Sequence, residues 1–374
     1  MNKTILAIAS LMGTIIGAGV FGIPYVVSRS GVLISFFYFV LLGTAVLLLH
    51  LLYGEVVLST QDRHQLAGYV KKYFGNSAKK SIEVATIVGT VGALLAYVIL
   101  AGKFLQIILP WGFTQAQYTL FFWAIGSLLV FFGMKQISLV EFLMSGVMLV
   151  VFSALSIVCL PKISILNFST GHLKNIFLPF GVLMFSMVGW HAIPEIMDIL
   201  GNAKKKLKKV IFVSFFTCLA VYLVFAFSVV GVSGGKTTSE PFEGLANFLG
   251  KDIIFLGGVL GFLAVATSFL ILANYLKNNL QYDCNLPRTL SVVIAVSSPL
   301  ALYLLGARDF ISVIGIVGVF IGLVEGIAIV LLFKKSRVKG DRAPEYRLNV
   351  SNYLLYLIII ILIVGALAEI LTKI

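Results

Sequence analysis

Eleven long stretches of this chain run almost without charge, and that repetition decides what it can fold into. They lie at about 4–29, 32–58, 82–109, 116–133, 137–160, 176–200, 210–232, 253–276, 289–305, 310–333 and 353–370. A bilayer's hydrocarbon core is about 30 Å thick and is crossed by roughly 20 helical residues. Apolar residues make up 60% of the 374 positions and charged ones 11%, against about 25% charged in a soluble domain. Too little polar surface remains to face water, so the expected fold is an all-α polytopic membrane protein with 11 transmembrane helices and no large extramembrane domain. The first stretch resembles a signal peptide, with Lys3 before an apolar run and small residues near Gly17. It continues through Phe21 and Tyr25 with no polar cleavage region, which predicts an uncleaved first helix.

The net charge of +13 would suit a nucleic-acid binder in a soluble protein. Here the test is where the positive charges sit. Counting loops alternately from a cytoplasmic N-terminus places 20 of the 28 Lys and Arg on one side, Lys135 included, clustered at 63–80, 204–209 and 334–347. The asymmetry predicts a cytoplasmic N-terminus, a C-terminus outside, anionic lipid as the partner of the basic face, and no nucleic acid. Cys159, Cys218 and Cys284 lack any paired spacing and read as small apolar residues. Residues 64–80 suit a short amphipathic helix on the basic side, Pro241 to Leu249 a cap helix on the other, and 334–349 a solvated linker.

Helix 1 contains Gly17-Ala18-Gly19-Val20-Phe21-Gly22-Ile23-Pro24. The run matches the dinucleotide fingerprint as letters only, because it has neither a preceding strand nor an acid about 20 residues on. Its meaning is a weakened helix: each Gly costs roughly 1 kcal/mol against Ala, and Pro removes a backbone donor. Helix 6 carries Gly189-Trp190-His191-Ala192-Ile193-Pro194, which shares with Gly19 to Pro24 the frame Gly, three residues, Ile, Pro. Matched interruptions in the first and sixth helices predict a five-plus-five repeat, residues 1–160 and 176–333, followed by a cytoplasmic linker at 334–351 and an additional helix at 352–374. The plainer alternative is that these glycines serve close helix packing and the prolines are tolerated kinks.

A break of this kind has a chemistry. Freed N–H groups at a half-helix start can hold a carboxylate, and freed carbonyls of the preceding half can hold a cation or ammonium group. A zwitterionic amino acid presents both charges on one carbon. Ionisable groups inside the crossings are costly and rare, which makes His191, Glu195 and Glu325 candidates for proton coupling, and His191 also a donor to substrate. Glu325 as a packed carboxylate bonded to helix-end backbone, Glu195 as a helix-start charge and His191 as a core histidine are the structural alternatives. Enzyme chemistry has no footing: H-E-x-x-H and G-x-S-x-G are absent, and His50, His64, His172 and His191 are scattered.

The Gly17 to Pro24 run, the Phe185 to Ile196 run, and Ala266-Thr267-Ser268-Phe269-Leu270 resemble bacterial amino acid permeases of the amino acid, polyamine and organocation superfamily. The pattern is similar to the hydroxy and aromatic amino acid permease family over nearly the whole chain. The resemblance implies that the five-plus-five repeat is an inverted repeat, the fold of the bacterial leucine transporter with broken helices 1 and 6, and uptake of an L-amino acid, aromatic or hydroxy/neutral, with a cation by alternating access. It implies a substrate carboxylate near Gly17, Ala18 and Gly19, and a side chain near Phe21, Tyr97, Ser186, Gly189, Trp190 and His191. Thr267 and Ser268 match a sodium position completed by the carbonyls of Gly13, Ile16 and Ala264, but similar pairs occur in proton-driven members, so the coupling ion is H+ or Na+. No cofactor is implied, and the expected state is a monomer in the bacterial inner membrane. An amine or nucleobase on the same fold, or a non-transporting amino acid sensor, stays open.

Overall fold

A computed structural model describes residues 3–132, 137–169 and 171–373, and every regular element among them is helical. Lys135 lies outside the described residues. The first apolar stretch is two helices, α1 (Lys3–Ile15) and α2 (Gly19–Ser30), bent by 55° at their junction. Next come α3 (Val32–Ser59), the short surface helix α4 (Leu66–Phe74), α5 (Asn76–Ile108), α6 (Gln115–Phe132) and α7 (Ile137–Cys159). The sixth stretch is again divided, into α8 (Leu178–Met187) and α9 (Ile193–Leu200), before α10 (Leu207–Ser233). The cap helix α11 (Pro241–Leu249), α12 (Lys251–Asn278), α13 (Arg288–Leu304), α14 (Phe310–Lys339) and α15 (Asn352–Lys373) complete the chain. By length and apolarity, seven described stretches can span a membrane, or eight with the bent pair. The Leu178–Lys236 stretch among them is itself divided at 188–192 and 201–206.

Two packed groups flank the molecule's middle. The broken helices lie together: α1 packs on α9 and α10, and α2 on α8 and α10. Facing them, α5 packs along α6, α12 and α13, and α14 joins the groups by touching both α5 and α8. Glycine sets that junction, since a Cβ on Gly318 of α14 would run into the Gly181 carbonyl of α8. At the same level the Glu369 carboxylate of α15 accepts the Gly181 N–H at 2.6 Å, satisfying a donor in the first turn of α8.

Two sequence expectations for the basic side change. The amphipathic helix ends at Phe74, because Gly75 takes φ +91° and starts α5 six residues earlier than hydropathy alone suggests. The stretch 334–349 is partly exposed but tethered. α14 runs on to Lys339, and the remainder is strapped to the end of α3: buried Glu55 accepts Arg337 Nε at 3.0 Å and the Leu348 N–H at 2.7 Å, and the Tyr346 hydroxyl donates to the Leu51 carbonyl at 2.6 Å. Sequence reading overlooked Glu55, whose charge is matched from nearly 300 residues away.

Candidate functional site

The first break spans Ile16, Gly17 and Ala18. The Ile16 and Gly17 amides turn back to the Met12 and Ile15 carbonyls, at 2.8 and 2.9 Å, and no side chain caps the start of α2. The first N–H groups of α2 have no intrahelical partner by geometry, which leaves a cluster of backbone donors at the break. Pro24 lies inside α2.

The second break covers 188–192: Val188 is extended, Gly189 has φ −154° and ψ 4°, and one 3-10 turn, Trp190–Ala192, leads into α9. Here Pro194 falls in the helix's first turn, where its missing N–H costs nothing. The two breaks touch. A Cβ on Gly19 would lie 2.7 Å from the Ser186 Cα, so glycine is required there for the helices to approach.

Between the breaks and α5, α12 and α14 lies a cavity of about 440 Å³. It is lined by Thr14, Gly17 and Gly19, by Thr86, Thr90 and Tyr97 of α5, by His191 and Glu195, by Asn274, Tyr275 and Asn278 of α12, and by Glu325. Asn278 and Glu195 lead toward the basic loops, so the cavity reaches from the breaks to the basic end. The opposite direction is closed by phenylalanines from five helices. Phe21 sits 5.1 Å from Phe104, 5.7 Å from Phe152 and 6.0 Å from Phe242, and Phe152 sits 4.7 Å from Phe225, centroid to centroid. All five are buried.

Glu325 is the polar hub of the wall. Its Oε2 accepts Trp190 Nε1 at 2.8 Å and lies 2.8 Å from His191 Nε2, while Oε1 accepts the Thr86 hydroxyl at 3.1 Å. Three side-chain donors on one buried carboxylate form a pre-set charge site at membrane depth. This differs from a glutamate bonded to helix-end backbone. Among the described residues no Lys or Arg lines the cavity, so a substrate carboxylate there has backbone N–H groups and His191 to turn to.

The candidates named from sequence thus divide. Gly17, Gly19, Tyr97, His191, Glu195 and Glu325 share the cavity wall. Ala18 and Phe21 are buried behind it, Phe21 as the centre of the aromatic closure. Ser186 spends its hydroxyl on the Val182 carbonyl at 2.7 Å. Gly189 faces Ile15 and His50, and Trp190 is fully buried with its N–H committed to Glu325, so neither lines the cavity. The residues of the candidate sodium set do not line this cavity. α1, with Gly13, packs chiefly on α7, α9 and α10, and the Thr267 hydroxyl donates within its own helix to Leu263 and Ala264, at 2.9 and 3.0 Å. Ile16, Ala264 and Ser268 are likewise absent from the cavity wall.

Three residues escaped sequence reasoning. Tyr222 of α10 sets its hydroxyl 2.8 Å from both the Ile15 and Ser186 carbonyls, one from each broken helix. His50 of α3 donates Nδ1 to the Val46 carbonyl at 2.8 Å, leaving buried Nε2 unpartnered beside Gly189. Thr86 holds the far oxygen of Glu325. A signal existed only for Tyr222: Ser214, Cys218 and Tyr222 recur every four residues along one face of α10.

Comparison with known proteins agrees with this architecture. The tryptophan/tyrosine permease family model matches residues 1–369. The chain is 25% identical over 236 residues to the tyrosine-specific transport system 1 of Haemophilus influenzae, an alignment that covers 62% of this chain and spans 58% of that protein's length. It is 24% identical over 348 residues to the glutamine transporter 2 of Aliivibrio fischeri, covering 88% of this chain and 89% of the other. The solved structure of MhsT in complex with L-phenylalanine superposes with a TM-score of 0.72 at 15% identity, covering 99% of this chain and 98% of that one. Mhp1, a nucleobase-cation-symport-1 family transporter in a closed conformation with bromovinylhydantoin bound, gives 0.65 at 14% identity, covering 98% and 90%. The fold is therefore the leucine-transporter-like fold expected from the broken helices. The chain belongs to the tryptophan/tyrosine permease family, and it is a multi-pass membrane transporter rather than an enzyme.

Proposed function

We propose that this member of the tryptophan/tyrosine permease family imports a neutral L-amino acid, aromatic side chains favoured, together with a proton. The observation that carries the reading is the cavity with the start of α2, at Ala18 and Gly19, on one side and the His191–Glu325 pair on the other, without a fixed cation between. The substrate carboxylate meets the α2 N-terminus. Its ammonium group faces the acidic wall, and its side chain extends along Tyr97, Phe185 and Val188, which border the same space. The tyrosine-specific transport system of Haemophilus and the phenylalanine bound in MhsT support an aromatic guest.

In this reading His191 and Glu325 gain and lose one proton between them as substrate enters and leaves, and the broken helices rock against α5, α12 and α13. The phenylalanine closure parts when the cavity faces the other way. Eleven crossings arranged as repeats 1–160 and 176–333, with 334–351 on the cytoplasmic side and 352–374 as an added crossing, put the N-terminus inside and the C-terminus outside a bacterial inner membrane. A monomer suffices, because the cavity is enclosed within one chain.

The test is uptake of labelled tryptophan and tyrosine into proteoliposomes under proton and sodium gradients imposed separately. Accumulation under the proton gradient alone is expected. Failure of any amino acid to enter or exchange under either gradient defeats the reading. A decarboxylated amine is the second reading, favoured by Glu195 and Glu325 both facing the cavity. Inhibition by tryptamine equal to that by tryptophan would establish it in place of the amino acid.

A further inference from the structure

We propose that Tyr222 is a positioning residue of the substrate site, whose single hydroxyl fixes the separation of the two broken helices and so sets which side chains the site accepts. The inference rests on the amino acid reading above. The Tyr222 oxygen lies 2.8 Å from the carbonyl of Ile15, the last residue of α1, and 2.8 Å from the carbonyl of Ser186, next to last in α8. Both carbonyls stand at helix ends, where intrahelical donors run out, and that of Ile15 also accepts the Gly17 N–H at 2.9 Å. A phenol has one proton, so at two equal distances it is shared between the oxygens as a three-centre bond. The proton is what allows two carbonyl dipoles to point at one spot in a dry interior. The residue is wholly buried, so water does not stand in for it.

The same helix grips α1 below the break. The Ser214 hydroxyl donates to the Ile8 carbonyl at 3.1 Å, and Cys218 Sγ lies 3.9 Å from the Met12 carbonyl. Only Tyr222, at the top of this series, reaches both broken helices. Its bridge stands behind the place where Gly19 and Ser186 meet, so it sets the gap between the start of α2 at Ala18 and Gly19 and the wall formed by Phe185 and Val188. These two carbonyls are also engaged, which directs the substrate ammonium group to the acidic wall rather than to the helix ends.

Tyr222→Phe removes the shared proton and leaves the ring. In reconstituted protein, the KM for the favoured aromatic amino acid is expected to rise at least about fivefold with kcat changed less than about twofold, in line with the loss of one buried hydrogen bond. The kcat/KM ratio of aromatic to small neutral substrate is expected to fall in parallel. Cys218→Ala, one turn away and touching α1 alone, is expected to leave both unchanged. An unchanged KM and selectivity ratio in folded, transporting Tyr222→Phe overturns the proposal, as does an equal effect from Cys218→Ala. Should Tyr222→Phe fail to fold, fluorotyrosine placed at 222 keeps the shape and strengthens the donor. A lowered KM there supports the bridge, and an unchanged one overturns it. Absence of amino acid transport by the unaltered protein is a separate outcome, which removes the functional reading itself.

Discussion

The two breaks carry the same sequence frame and do opposite work. In the first, the chain opens ahead of Gly19, no side chain caps the new helix, and the exposed groups are backbone N–H. In the second, the opening surrounds Gly189 and the exposed groups are side chains, His191 on the cavity wall and Trp190 behind it, both tied to Glu325. The register accounts for the difference. Relative to the proline, the first helix restarts five residues earlier and the second only one, so Pro24 is carried inside α2 while Pro194 opens α9. A shared motif therefore marks where a helix fails without saying which atoms the failure presents.

Substitution of the matched glycines should separate the breaks most sharply. Gly19→Ala forces a Cβ to 2.7 Å from the Ser186 backbone, which cannot yield. An overpacking cost of about 3 kcal/mol predicts a loss of roughly a hundredfold in uptake. Gly189→Ala meets the flexible Ile15 side chain and, at 3.3 Å, His50 Nε2. Uptake is expected to fall less than about fivefold, since a side chain can turn aside for under 1 kcal/mol. Equal losses would mean the two breaks are equivalent after all.

Glu325→Gln comes next. It keeps the shape of the second break and removes its charge, so proton-driven uptake should drop at least about tenfold while tryptophan binding, followed by thermal stabilisation, changes less than about threefold. Trp190→Phe takes away one donor to that carboxylate and should lower melting by about 1.5–3 kcal/mol equivalent with a smaller effect on flux. Ser186→Ala, at the contact itself, removes a bond internal to α8, and both uptake and melting should stay within about 0.5 kcal/mol of the parent.

The smallest effect on flux, and a control remote from both breaks, is the pH response of Glu240. This buried carboxylate caps α11 by accepting the Phe242 and Glu243 amides at 3.0 and 2.7 Å, and burial pushes its pKa up from 4.5 to about 7. The folded protein holds that proton more tightly than the unfolded chain. Its contribution to stability is therefore full below pH 4.5 and lost as pH rises through about 7. Melting should be lower at pH 8 than at pH 6, and Glu240→Gln should flatten the difference. A slope that survives the substitution assigns it to another group.

Much of the architecture was legible because the bilayer leaves few choices. Apolar length and the doubled Gly/Pro frame each reflect a local cost that no distant contact can remove. Glu325 announced itself for the same reason, as a charge where charge is expensive. Its partners did not. Thr86 lies 239 positions away in sequence and is one threonine among many. The Tyr222 bridge exists only because two helix ends meet in space, and Glu55 with Arg337 is an encounter of residues 282 positions apart. The family resemblance implies Trp190 at the substrate side chain, and its burial against Glu325 shows packing winning over display.

The five-phenylalanine closure is held by ring contacts, so parting it wets hydrocarbon. Such exposure raises heat capacity, and the free energy it costs shrinks as temperature drops. The balance between the two access directions should accordingly follow a curved van't Hoff plot, with chilled membranes tilting the carrier toward the side those rings now seal.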